Sequence, residues 1–450
     1  PNLPAALESG EASWDDVDLA VTNVVSTLLR FDAVLSMPNP PMSIVGADEH
    51  VALSRETAAR SVLLLRNEAV GEQAVLPLDP SGGMRIAVIG ELAGQTNLGD
   101  GGSSDVYSLD NVNVLDGIRA AAGDAEVVHD DGSDPARAVA MAGDAEVVIV
   151  VVGYTADDEG EFIGDTGTDL SHLFPAADEP EVVEAFQASL EHSLPTVRPD
   201  HLRTRPGLGF SKGGDRESLR LRPTDEALIA SVAAANERTV VVIQAGSAVV
   251  LSDWHETVPA VVQAWYGGQQ AGHGLADVLF GAINPSARLP FTMAAEESHL
   301  PDFDREADHA VYDQWHGWWH AEREGHQPTY PFGFGLSYTT FELGNFTVTV
   351  AADGIVVRGS ASNTGDRDGA DVVQVYAALP DAGRRRRLVG FQRVEVPAGR
   401  TVDVEVHVGL EALATRDGEH TTWAAASGRY ELSVARHARD PAAQRLTIDL

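Results

Sequence analysis

The stretch Glu146-Val147-Val148-Ile149-Val150-Val151-Val152-Gly153 runs straight into Tyr154-Thr155-Ala156-Asp157-Asp158-Glu159-Gly160-Glu161. A short β-branched run without polar alternation is a strand buried on both faces, hence an interior strand of a parallel sheet. Working outward, Arg85–Gly90, Thr239–Gly246 and Ala260–Tyr266 read the same way, with helical segments such as Asp225–Asn236 between them. A helix is expected over 50–66, ending in Val62-Leu63-Leu64-Leu65. Residues 50–295 are therefore expected to be an α/β sandwich, a mainly parallel sheet with helices on both faces. Ligands gather at the carboxyl ends of such strands, so chemistry belongs after Gly90, Gly153 and Gly246.

From residue 336 the period changes to two, as in Phe346–Val350, Asp371–Tyr376, Val402–Val408 and Arg429–Val434, with a turn at Asn363–Asp366. About seven short strands in roughly 110 residues predict an all-β sandwich. Residues 296–335 form an irregular, aromatic and His-rich linker, and 155–222 a long insertion of the kind that carries function or disorder. At the other end, Ser13 and Asp16 spell a helix start, and Val17, Val21, Val24, Val25, Leu28 and Leu29 recur at helical spacing. That helix has no core of its own, and Pro38-Asn39-Pro40-Pro41 follows it as a rigid linker.

The chain has 450 residues, 44% of them apolar, a prior of about three domains. It has no cysteine, which excludes disulfides, thiolate metal sites and a cysteine nucleophile. Against 31 basic residues stand 68 acidic ones, net −37, so nucleic acid and anionic membranes are repelled. Lys212 is the sole lysine. Such an acidic, arginine-only surface suits a halophilic protein that stays hydrated in strong salt, which screens its self-repulsion; a GC-rich genome is the bland alternative. No apolar run approaches the ~18–20 residues of a membrane span. The chain opens at Pro1 with no leader pattern, as a mature product or fragment would; a soluble, cytoplasmic setting is expected over secretion.

The carboxylates Asp157, Asp158, Glu159 and Glu161 are crowded just past a strand end, where one can serve as a proton donor. The plain alternative is a solvated acidic loop. The glycine-rich Gly99–Ser104 loop allows close approach to a ligand but is not a nucleotide fingerprint. Gly214-Asp215-Arg216 can pin a loop or bind a sugar hydroxyl. Asp100, Ser103, Asp215 and Arg216 are thus the candidate substrate-binding residues. His316 and His320 are four apart and on a helix could be a metal pair, but they lack the context of one. Arg384–Arg387 reads as a salt-bridge or docking run.

Several segments together resemble glycoside hydrolase family 3. They are Arg60–Glu68, Gly99–Ser104 with Val114–Ile118, Gly214–Leu219, Ala264–Gln269, Ala276–Gly281 with Asn284-Pro285-Ser286, and Tyr330–Thr339. The resemblance implies an (α/β)-sandwich domain followed by a fibronectin type III-like domain, the second and third domains of three-domain β-glucosidases and β-xylosidases. It implies a retaining mechanism in which a barrel-borne Asp is the nucleophile and a loop Glu the acid/base. Glu159 is placed first for that role and Glu161 beside it, since the register is ambiguous by two. It implies no cofactor and no metal.

The barrel itself is missing; residues 1–49 resemble only its closing helix and linker. Ser252-Asp253-Trp254 has the spelling of the nucleophile motif but lies in the sandwich domain and is read as a coincidence. The expected function is the acid/base portion of a retaining β-glycosidase acting on β-linked glucosides or xylosides. A partner chain or missing segment would carry the nucleophile, and homo-oligomerisation stays open. The alternative is a non-catalytic carbohydrate-binding or assembly module; a nicotinamide oxidoreductase lacks its glycine fingerprint. The charge reading carries its own test. The melting temperature should rise from dilute buffer to molar salt, and an unchanged value would remove the halophilic reading.

Overall fold

The computed structural model describes residues 3–99, 110–160, 216–304, 307–380, 385–416 and 423–450. The first 50 residues separate from the rest as their own unit. Within them lie α1 (Leu3–Ser9), α2 (Trp14–Arg30) and α3 (Asp32–Leu35). The expected α2 start is present as a full capping box: Asp16 N–H donates to Ser13 Oγ and Ser13 N–H donates to Asp16 Oδ2 at 2.9 Å. Val21, Val24 and Leu28 stay exposed.

Next come α4 (Asp48–Ser61), β1 (Leu63–Asn67) and a small hairpin, β2 (Ala69–Val70) with β3 (Gln73–Ala74). The α/β part continues through β4 (Arg85–Ile89), α5 (Val114–Ala121), β5 (Glu126–Asp130), α6 (Pro135–Gly143), β6 (Val147–Gly153), α7 (Ala156–Glu159), α8 (Pro223–Ala235), β7 (Thr239–Gln244), β8 (Ala260–Gln263) and α9 (Ala271–Leu279). The sheet order is β1-β8-β7-β6-β4-β5. Strands β4 to β8 are parallel, with Val88 opposite Ile149 and Ile149 opposite Val240.

Continuous apolarity hides a period of two. Val147, Ile149 and Val151 enter the core on one face with Val114, Ile118, Leu275 and Val278; Val148, Val150 and Val152 enter the other with Ala138, Ile229 and Val232. Helices α5 and α9 cover the first face, and α6 and α8 the second. At the α5–α9 crossing a Cβ on Gly117 would lie 2.1 Å from the Gly272 backbone, so only glycine lets the helices meet.

The helix expected over 50–66 is corrected: it ends at Ser61, and the leucines form β1, antiparallel to β8. Leu64 belongs to one core while Leu63 and Leu65 belong to the other. A strand serves both faces in turn, which a helix cannot.

Helix α10 (Trp318–Glu324) interrupts the linker. His316 precedes it and His320 lies within it, so the two histidines do not share a helix. The β-sandwich follows: β9 (Phe341–Ala351), β10 (Gly354–Asn363), β11 (Gly369–Ala378), β12 (Arg386–Val396), β13 (Thr401–Gly409), α11 (Leu410–Leu413), β14 (Ala414–Arg416), β15 (Trp423–Ala425), β16 (Arg429–Ala435) and β17 (Gln444–Asp449). Sheets β13-β10-β9 and β12-β11-β16-β17 pack Ile355, Val357 and Val406 against Val373, Val375 and Leu432.

The two domains are joined by polar bonds with defined geometry. Arg288 pairs with the fully buried Asp371, and its own side chain is 11% exposed. Asn284 Oδ1 accepts from Ser337 Oγ and Tyr338 N–H, both at 2.8 Å, and Tyr338 Oη donates to the Val278 carbonyl at 2.9 Å. No helix of the described residues is long and apolar enough to cross a membrane.

Two predictions follow from these placements. Asp371→Ala strands a buried guanidinium and should cost about 3–5 kcal/mol in urea unfolding, whereas Arg288→Met with Asp371→Leu should recover most of the loss. Burial pushes the Asp225 carboxyl up to about 6, with the Asp158 and Glu91 charges adding and Arg222 and the Gly153 amide opposing. The native state therefore holds a proton that the unfolded chain releases near pH 4. Stability from Asp225 is present below that and is lost as pH rises through about 6. Asp225→Asn should thus stabilise at pH 7.5, by up to about 3 kcal/mol, and give no gain at pH 4.

Candidate active site

The loop after β6 is set by its first residue. Gly153 has φ +139°, and a Cβ there would sit 1.9 Å from the Gln244 carbonyl oxygen on β7. Tyr154 N–H then donates to that same carbonyl at 2.8 Å. Thr155 caps the one-turn helix α7: its Oγ1 accepts from Asp157 N–H at 3.2 Å, and Asp158 Oδ2 accepts from Thr155 N–H at 2.9 Å. Burial raises the Asp158 carboxyl, but Arg222 and the Thr155 amide outweigh it and hold the group below the usual carboxylate range. Asp158 is thus a structural anion that fixes the turn, and the next residue, Glu159, is delivered inward.

Glu159 is 12% exposed at its side chain. Its Oε1 accepts from Gly246 N–H at 2.7 Å and from the Tyr266 hydroxyl. Its Oε2 lies 3.3 Å from Arg216 Nε. The guanidinium of Arg216, itself 8% exposed, stacks 4.2 Å over the Tyr154 ring and donates to Ser247 Oγ and to the Ala248 carbonyl at 3.1 Å. Burial, and then the Glu159 bond, push the Tyr266 phenol well above its usual range, so it remains a donor. Burial also raises Tyr154, against the opposing charge of Arg216. The carboxylate is held by the ends of β6, β7 and β8 together.

Glu159 and Arg216 line one cleft of about 1010 Å³ with Gly99, Ser218, Gly246, Tyr266, Glu297, Phe303 and Tyr312. The structure brings these two expected site residues into contact. Glu161, Asp100, Ser103 and Asp215 lie outside the described residues, as does the Gly209-Phe210-Ser211-Lys212-Gly213 string, which has the spelling of a serine elbow. Asp253 is 59% exposed at its side chain and pairs with Arg220, away from the cleft lining. Among the described residues no group of three or more His, Asp or Glu is placed to hold a metal.

Sequence reasoning missed Tyr266 as a site residue. The preceding Trp265 has φ +57°, which its residue type does not announce, and is locked by Nε1 donating to the Ser61 carbonyl at 2.9 Å. A bulky residue in the left-handed region re-aims the chain at the end of β8 and turns Tyr266 toward Glu159.

Residues 62–338 match the glycosyl hydrolase family 3 C-terminal domain, and residues 371–438 match the fibronectin type III-like domain. The chain is similar to a xylan 1,4-β-xylosidase of Xylanibacter ruminicola, 35% identical over 247 residues that cover 54% of this chain and 27% of the relative. It is also similar to an exo-α-(1→6)-L-arabinopyranosidase of Bifidobacterium longum, 27% identical over 459 residues, covering 97% of this chain and 53% of the relative. The crystal structure of a family 3 β-glucosidase from Bifidobacterium adolescentis superposes with TM-score 0.77 at 25% identity, covering 100% of this chain and 60% of that one. The chain therefore spans about half, or less, of the length of these two curated relatives. The match over residues 62–338, more than half of the chain, places it in glycoside hydrolase family 3, as the family's C-terminal α/β and fibronectin type III-like portion.

Proposed function

We propose that the chain supplies the general acid/base of a retaining β-glycosidase acting on β-linked glucosides or xylosides, with Glu159 in that role. The observation that carries this is the tether of Glu159. A carboxylate positioned by Tyr266, Gly246 and Arg216 in a cleft keeps one geometry while its proton comes and goes.

In the first step a protonated Glu159 gives its proton to the glycosidic oxygen as the C1–O bond breaks. A second carboxylate attacks C1 and forms a glycosyl ester. In the second step the Glu159 carboxylate takes a proton from a water that attacks C1, releasing the sugar and the second carboxylate. Retention needs the two carboxyl groups ~5–5.5 Å apart. We assign the second carboxylate to a barrel-borne Asp on a partner chain or further segment. The family membership supports this, as does the exposed, ion-paired position of Asp253.

The test is kcat/KM in the assembled enzyme, containing these residues with the barrel. Glu159→Gln should lower cleavage of 4-nitrophenyl β-glucoside by less than ~10-fold and of cellobiose by ~10²–10⁴-fold, because only the poor leaving group needs the proton. If Glu161→Gln gives this pattern and Glu159→Gln does not, the acid/base is Glu161. Hydrolysis by this chain alone at its own mass would place a nucleophile within it and overturn the barrel assignment. No hydrolysis with the barrel present would favour the binding-module reading.

A further inference from the structure

Helix α7 is four residues long and ends in three carboxylates in succession, Asp157, Asp158 and Glu159. One turn of helix does not hold itself together in water, and neighbouring like charges loosen it further. Glu159 closes that turn, so its direction depends on what grips the turn from outside.

Two arginines do so from the ends of one short segment, residues 216–222. Arg216 meets Glu159 inside the cleft. Arg222 forks onto Asp158, with Nε donating to Oδ1 at 3.1 Å and Nη2 donating to Oδ2. The same Oδ2 accepts from Thr155 N–H at 2.9 Å, so the fork and the helix cap share an atom. Arg222 does not line the Glu159 cleft; it lines a separate cavity of about 700 Å³ with Gly90, Asp131 and Asp225.

The base from which Arg222 reaches is fixed. Val250 N–H donates to the Leu219 carbonyl at 2.8 Å, and the Tyr154 hydroxyl donates to the Arg220 carbonyl. Leu221 is buried. Pro223 then opens α8, whose Ile229 and Val232 enter the core. The Arg222 carbonyl accepts from Asp225 N–H at 2.9 Å and from Glu226 N–H at 3.1 Å.

We propose that Arg222 is a positioning residue for the acid/base: its fork onto Asp158 fixes the turn of α7 and so the line along which Glu159 meets the glycosidic oxygen. This rests on the Glu159 reading. Tyr266, Gly246 and Arg216 hold the carboxylate end of the side chain, whereas Arg222 holds the backbone that carries it. When Glu159 takes up its proton, the ionic attraction of Arg216 is lost and the fork is untouched. The acid step therefore leans on Arg222 more than the base step does. An acid works only within hydrogen-bond reach of the leaving oxygen, and an error of about 1 Å can cost a hundredfold.

The experiment is kcat and KM of the assembled enzyme, these residues with the barrel, on cellobiose and on 4-nitrophenyl β-glucoside. Arg222→Ala should lower kcat on cellobiose by about 10–100-fold and on the nitrophenyl glucoside by less than about threefold, with KM little changed. Arg222→Lys should show the same split, because an ammonium keeps the charge and lacks the fork. Guanidinium ion at millimolar concentration should restore cellobiose cleavage to Arg222→Ala, and ammonium ion should not. Arg222→Ala added to Glu159→Gln should cost nothing further on cellobiose, since the acid it positions is gone. If Arg222→Ala does not fold, the split in Arg222→Lys carries the test. Equal losses on both substrates, recovery by lysine, or full additivity with Glu159→Gln overturns the positioning role. A split with Glu159→Gln and none with either Arg222 variant refutes this inference alone. No split with Glu159→Gln refutes the acid/base reading, and this inference with it.

Discussion

The absence of a side chain at Gly153, where β6 leaves the sheet against the Gln244 carbonyl, is the constraint on which the site depends. Because Gly153 and Gln244 are register partners, both exits start from one fixed point. One exit leads through the capped turn of α7 to Glu159, and the other leads two residues on to the Gly246 amide that receives it. Acceptor and donor are placed by the sheet ladder rather than by the long loops. A Cβ at Gly153 would separate the strand ends and move Glu159 and Gly246 apart together.

How much could be read in advance depended on how local each cause is. The strand Val147–Gly153 and the cap at Ser13–Asp16 were legible because burial and capping act within a few residues. Glu159 was legible as one of several carboxylates past a strand end. Its separation from Asp158 was not, because it rests on Arg222 and Tyr266, 64 and 107 positions away in the chain. The leucines at 63–65 misled for a related reason. An apolar run following a helix reads as more helix until a second core claims alternate residues, and that core comes from distant strands.

Several segments that marked the family do not touch the cleft. Asn284 and Tyr338, both from such segments, are bonded to each other and to α9 and the β-sandwich. Arg55 forks onto Asp277 at 2.7 and 2.6 Å, joining α4 to α9. These are joints between elements, where a particular hydrogen-bonding shape is required and few residue types supply it. A motif recurring across a family therefore speaks for a shared assembly as readily as for shared chemistry, and the function must be argued from Glu159 and its partners.

The near-absence of lysine looks different beside these joints. A planar guanidinium can fork onto a carboxylate, as at Asp277, or stack on a ring while still donating from its edge, as Arg216 does over Tyr154. An ammonium can do neither. In strong salt, exposed pairs such as Arg60 with Glu56 are screened, while pairs shielded from solvent keep most of their attraction. Among the described residues the pairs shielded on both sides, Arg216 with Glu159 and Arg288 with Asp371, lie at the site and at the domain joint. An acidic chain whose exposed pairs are screened can still hold its carboxylate in place, because the pair that fixes Glu159 is shielded from water and salt.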